Sequence, residues 1–168
     1  MQLKLMLLLA VVLAFAMCGR VLSGPAERRY KTLCELQRAL RTLHIQVCCM
    51  LEPLQDALRQ ADFPLFLSVS DRLSAHESVM DVWRQVKRSE CRRGKAADCL
   101  SEMDMNILDR LFSRLGSSGI EGQGDAIMGC ISSVEAMLDE AKIRAAETGR
   151  LYTSLGFLAG LGAAILLI

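Results

Sequence analysis

LCELQRALRTLHIQVCCMLEPL, residues 33–54, decides the fold class. Leu33, Leu36, Leu40, Leu43, Val47, Met50 and Leu54 follow one another at spacings of three and four, which puts them on a single stripe of an α-helix. Pro53 crowds the residue before it out of helical geometry, so the helix is expected to end there. A coiled coil would need this repeat to continue. Because it stops at Leu54, the stripe reads as the core-facing side of a bundle helix.

Working outward, the same period recurs in shorter pieces. A helix is expected from Pro53 to about Gln60, and another from Phe63 to Leu73 with Asp62 as N-cap and Pro64 in the first turn. Ser78 opens a further helix, with Asp81 three residues on as in a capping box and with Val79, Val82, Trp83 and Val86 facing inward. Met103, Ile107, Leu108, Leu111 and Leu115 mark an amphipathic helix closed by Gly116 and the GSSG stretch that it begins. Last comes the longest element. Ile127, Ile131, Val134, Leu138, Ala141 and Ala145 hold helical phase, and the pattern runs on into the apolar C-terminal run. The fold expected is all-α, a bundle of about six helices. Composition agrees: 52% of the 168 residues are hydrophobic but only 5% aromatic, and Pro is limited to 3, a balance that favours Leu- and Ala-rich helices over sheets.

The ends differ from the middle. Every charged side chain except Lys4 lies between Arg20 and Arg150. Leu5 to Gly19 is uncharged, roughly 25 Å of helix at the usual rise once Lys4 extends toward the interface. A cleaved signal peptide competes with a retained span. Met17 and Cys18 stand where a small residue should precede cleavage, and Arg20 follows at once, so retention is expected. Leu151 to Ile168 reads as a C-terminal transmembrane anchor. Arg20, Arg28, Arg29 and Lys31 after the first run, with Lys142, Arg144 and Arg150 before the second, place the middle on the cytoplasmic side. The organisation expected is a transmembrane segment at 1–24, a cytoplasmic bundle at 25–150 and an anchor at 151–168.

The 20 basic and 19 acidic residues nearly cancel, so no global field would draw in nucleic acid. Locally, Arg84 to Lys95 holds six basic residues against Glu90. Arg84, Lys87, Arg88, Arg92 and Arg93 are therefore the candidate partner-binding surface, with a solvated loop as the plainer account. No aromatic side chains interleave with them as single-stranded nucleic acid would require. In the anchor, Gly156 and Gly160 stand four apart with Ala164 continuing the ridge, a spacing that lets two helices approach closely in lipid.

The chain has no phosphate-cradling Gly-rich loop, no G-x-S-x-G and no H-E-x-x-H, so no catalytic residues, cofactor or small-molecule substrate are expected. Seven Cys residues with His44 and His76, but no C-x-x-C pair, give no zinc pattern, and no metal is expected. Cys34, Cys48 and Cys130 fall on apolar helix faces, where a thiol acts as a small hydrophobe. Cys91 and Cys99 flank the basic loop and could pair if oxidised, but no disulfide between them is expected. Glu135, Asp139 and Glu140, followed by Lys142 and Arg144, read as a salt-bridged solvated face.

Read whole, LYTSLGFLAGLGAAILLI preceded by ILDRLFSRLGSSGIEGQGDAI resembles the C-terminal half of the stage III sporulation protein AB family. The specific part is Tyr152, then Ser154-Leu155-Gly156-Phe157 and Gly160-Leu161. The stretches RALRTL, PLQDAL from Pro53 and SVMDVW ending in Trp83 resemble the family's N-terminal half. Gln46 and Gly119 depart from it, standing where the family tends to carry acidic residues. The resemblance implies a bundle similar to the platform proteins of type II secretion and type IV pilus systems. It implies a place in the complex between mother cell and forespore, with the outer forespore membrane as location. It also implies partners: a cytoplasmic secretion-type ATPase, stage III sporulation protein AA, and other stage III sporulation membrane proteins. The main alternative is a secreted or envelope-facing helical protein with a cleaved signal, a C-terminal anchor and disulfides.

Overall fold

A computed structural model describes residues 24–74, 77–91, 100–115 and 119–166, with side chains beyond Leu151 described only at Ser154 and Leu158. Among the described residues there are six α-helices and no strand: α1 Gly24–Cys48, α2 Leu54–Gln60, α3 Pro64–Arg72, α4 Val79–Cys91, α5 Glu102–Arg114 and α6 Ile120–Leu166. The all-α expectation holds. The chain divides into two compact units, Lys31–Asp139 on one hand and the segments flanking it on the other.

Within the first unit, the 33–54 stripe forms the core side of α1. Leu33, Leu36, Leu40 and Leu43 are fully buried and Val47 nearly so, because a three-four spacing keeps them on one face. The helix ends at Cys48, short of Pro53. Leu51 takes φ 56°, a left-handed turn that carries the chain out of the helix, and Met50 is left 64% exposed instead of continuing the stripe. Asp62 also departs from its expected role. It adopts φ 50° in the α2–α3 turn, while Phe63, in extended conformation, is the residue that precedes α3, with Pro64 opening the helix. Phe63 is buried, so its side chain, not a capping carboxylate, fixes how the chain enters α3.

Successive helices pack in sequence, α2 on α3, α3 on α4 and α4 on α5. The first pair is latched by two reciprocal bonds: Ser70 Oγ donates to the Gln55 carbonyl at 2.9 Å, and Gln55 Nε2 donates to the Ser70 carbonyl at 3.1 Å. At the start of α5, Ser101 and Asp104 form a capping box. The Ser101 amide donates to the Asp104 carboxylate at 2.7 Å, and the Asp104 amide donates to Ser101 Oγ at 3.2 Å. The phase of α5 differs from the one expected. Met105, Leu108, Leu111, Phe112 and Leu115 are buried, whereas Met103 is 65% exposed and Ile107 only half-buried.

Helices α1 and α6 run antiparallel in this unit. Gln37 Nε2 and Arg41 Nη2 both donate to Glu135 Oε1 at 2.9 Å, and Cys48 lies against Gly124. The solvated-face reading of α6 is met at Arg144, which bridges to Glu140 at 2.6 Å one turn away, whereas Glu135 pairs across to α1. Cys34, Cys48, Cys49 and Cys130 are free thiols. Cys130 is buried, and that burial pushes its thiol up to about 12 from an ordinary 9.0. Its thiolate is therefore more disfavoured folded than unfolded, so stability falls as pH rises from about 9 toward 12. Cys48 is also raised, first by burial and then by Cys49 and Asp125. The Cys91–Cys99 pairing lies outside the described residues.

Two glycines of α6 separate close packing from open surface. A Cβ on Gly124 would stand 2.9 Å from Cys48 Sγ, but one on Gly129 would meet nothing within 4 Å. Gly129→Ala should therefore stabilise by about 0.5–1 kcal/mol, the ordinary helix gain. Gly124→Leu should destabilise by about 1–3 kcal/mol, since Cys48 must turn aside and the longer side chain still has to be fitted between α6 and α1. Urea midpoints of the two variants should shift in opposite directions.

Among the described residues no helix is long and apolar enough to cross a membrane. Residues 1–23 of the first expected span lie outside the described residues. In the second expected span α6 keeps helical backbone to Leu166, but most of its side chains, those of Gly156, Gly160 and Ala164 included, lie outside them.

Candidate partner-docking face

Helix α4 carries the basic segment, and its amphipathic pattern divides it cleanly. Val82, Trp83 and Val86 are buried, leaving Arg84, Gln85 and Arg88 exposed on the opposite side. Trp83 anchors that buried side. Its ring stacks on Phe112 of α5 at 4.4 Å between centroids and 15° between planes. Phe112 meets Phe66 edge-on at 5.8 Å, and Phe66 meets Phe63 at 5.3 Å, so one aromatic chain ties α3, α4 and α5.

The polar end of Trp83 leads to the residue that organises the face. Its Nε1 donates to Asp109 Oδ1 at 2.6 Å, while Lys87 Nζ donates to Asp109 Oδ2 at 2.6 Å. Both oxygens of one carboxylate on α5 are thus taken up by consecutive turns of α4. Lys87 is about one-third exposed and belongs to the seam between the two helices.

Arg84 and Arg88 remain as outward-facing members. Arg84 pairs with Asp81 at 3.2 Å on its own helix, both groups being more than half exposed, so the pair adds little stability and leaves the guanidinium accessible. Arg88 Nε donates to the Arg84 backbone carbonyl at 3.3 Å, which holds the Arg88 side chain against its own helix, one turn along the same edge from Arg84. Arg92 and Arg93 lie outside the described residues. Among the described residues no group of His, Cys, Asp and Glu could hold a metal ion. What the exposed edge offers is a pair of delocalised cations suited to carboxylates, on a helix held rigid by Trp83 and Asp109.

Asp109 was not visible as a functional or structural centre in the sequence, because its partners are 22 and 26 positions away on another helix. Once α4 and α5 are paired, the carboxylate between an indole and an ammonium is the signal. A family model described as stage III sporulation protein AB matches residues 4–168. Among curated proteins and among solved structures, none matches the chain significantly.

Proposed function

The chain belongs to the stage III sporulation protein AB family, and from that premise we propose that it is a non-catalytic membrane scaffold of the secretion-like complex that endospore formation requires. In this reading the helical bundle receives the cytoplasmic ATPase, stage III sporulation protein AA. The terminal segments hold the bundle at the mother-cell (outer forespore) membrane, among other stage III sporulation membrane proteins. The match across residues 4–168 carries the reading, since it takes in both apolar ends and the bundle between them. Gly156, Gly160 and Ala164 would then pack the anchor on a neighbouring span.

The exposed arginines give the reading a place to be tested. Arg84→Glu combined with Arg88→Glu should slow association with the ATPase and reduce its salt dependence, with helicity unchanged, because both side chains point away from the core. Co-purification of the ATPase with the full chain at increasing salt is the measurement. Equal recovery with the variant would return this edge to a solvated surface.

A further inference from the structure

Helices α5 and α6 leave an open groove between them inside the 31–139 unit, about 430 Å³ in volume. Its floor is apolar: Leu111 and Cys130 are buried there, with Ile107 and Ala126 half-buried beside them. The two hydroxyls that line it are already committed to backbone. Ser113 Oγ donates to the Arg110 carbonyl at 2.8 Å, and Ser133 Oγ donates to the Gly129 carbonyl at 2.9 Å. Gly129 keeps the groove open, since a side chain there would project into empty space.

The rim is charged. Arg110 and Arg114 stand on the α5 side and Asp125 on the α6 side. Arg110 is exposed and forms no ion pair among the described residues. A groove with an apolar floor between two helices accepts the side-chain ridge of a third, and an arginine on its polar rim selects a carboxylate.

We infer that this groove docks an amphipathic helix of a partner protein, one that presents an aliphatic side chain with a carboxylate on the side that meets Arg110 and a basic residue on the side that meets Asp125. The aliphatic group would enter over Gly129 onto Leu111 and Cys130, and a carboxylate one turn away would meet Arg110. Asp125 on the opposite rim repels a phosphate headgroup but accepts a basic residue of a peptide, which favours protein over lipid as the occupant. The inference deepens the scaffold reading by giving the bundle a second contact surface, separate from the Arg84 and Arg88 edge.

The test uses the full chain in detergent and three fluorescein-labelled helical peptides that share a Leu ridge and a Lys at the flank facing Asp125, and differ only in carrying Glu, Gln or Lys at the opposite flank, which faces Arg110. Anisotropy titration should rank them Glu, Gln, Lys, with roughly three- to fivefold between neighbours, as exposed ion pairs allow. Arg110→Glu should invert the order of the Glu and Lys peptides. Gly129→Leu should weaken all three without loss of helicity, because a Cβ at this position meets nothing within 4 Å and the side chain beyond it occupies the open groove. Equal binding of the Glu and Lys peptides, an order unchanged by Arg110→Glu, or no effect of Gly129→Leu would each overturn the proposal. So would a dimer of the chain that Gly129→Leu dissolves, which would make a second copy the occupant. Neither the ATPase nor a membrane takes part, so failure here sinks the groove and failure of co-purification sinks the ATPase reading.

Discussion

Trp83→Ala is expected to remove about 3–5 kcal/mol from the stability of the bundle, the range for truncating a fully buried large aromatic. Trp83 has no exposed surface, and its loss takes away three things together: the stack on Phe112, the volume between α4 and α5, and the indole donor to Asp109. Small domains are stable by roughly 5–15 kcal/mol, so the variant should be largely unfolded or close to it. Trp83→Phe separates the contributions. It retains a ring to stack on Phe112 and gives up the N–H, so it should lose much less. Urea unfolding followed by circular dichroism of the detergent-solubilised chain reads both. A midpoint for Trp83→Ala within experimental scatter of the parent would mean that the aromatic chain does not hold α3, α4 and α5 together.

Asp109→Ala should cost about 2–3 kcal/mol, and the reason is the asymmetry of what remains. Lys87 is about one-third exposed and can turn to water, so its share of the loss is screened and small. The indole N–H of Trp83 has no such exit, because the residue is fully buried, and leaving it without an acceptor accounts for most of the effect. Asp109→Asn restores an acceptor without the charge and should recover more than half of the stability. If Asn and Ala behave alike, the Lys87 ion pair outweighs the indole bond, contrary to this ordering.

Much of the fold was legible in the sequence because burial in a helix leaves a period that needs no partner to be read. The α1 stripe from Leu33 to Val47 and the α4 set Val82, Trp83 and Val86 are cases in point. Where legibility failed, a second interaction decided. In α5 two apolar stripes compete, one through Met103 and Ile107 and one through Met105 and Phe112. The aromatic contacts of Phe112 with Trp83 and Phe66 select the second. The end of α1 was set by a left-handed Leu51 that no propensity favours, before Pro53 could act. The α2–α3 turn likewise spends Asp62 on a positive φ instead of on a cap.

The candidate surface shows the same boundary. The Arg84–Asp81 pair follows from a three-residue spacing within one helix and could be read directly. The capture of Lys87 by Asp109 depends on how α4 lies against α5, and a charge count along the chain cannot register it. The α5–α6 groove is less legible still, since its lining comes from two helices and its depth from the missing side chain of Gly129. Basic residues crowd at 84–95 and are conspicuous there. Arg110, isolated in sequence, gains its setting only from the tertiary fold.

On the proposed reading, the bundle works on the cytoplasmic side of a membrane that its own ends enter. Cys49 supplies the most direct test, because it is a free and exposed thiol of the bundle. A chain in which the other six cysteines are replaced by alanine is expressed in cells and treated with a membrane-impermeant maleimide before and after permeabilisation. Cys49 is then expected to be labelled only after permeabilisation, on a protein that stays in the membrane fraction at full mass. Labelling in intact cells, on a protein shortened at its N-terminus, would contradict it and establish the envelope-facing arrangement instead.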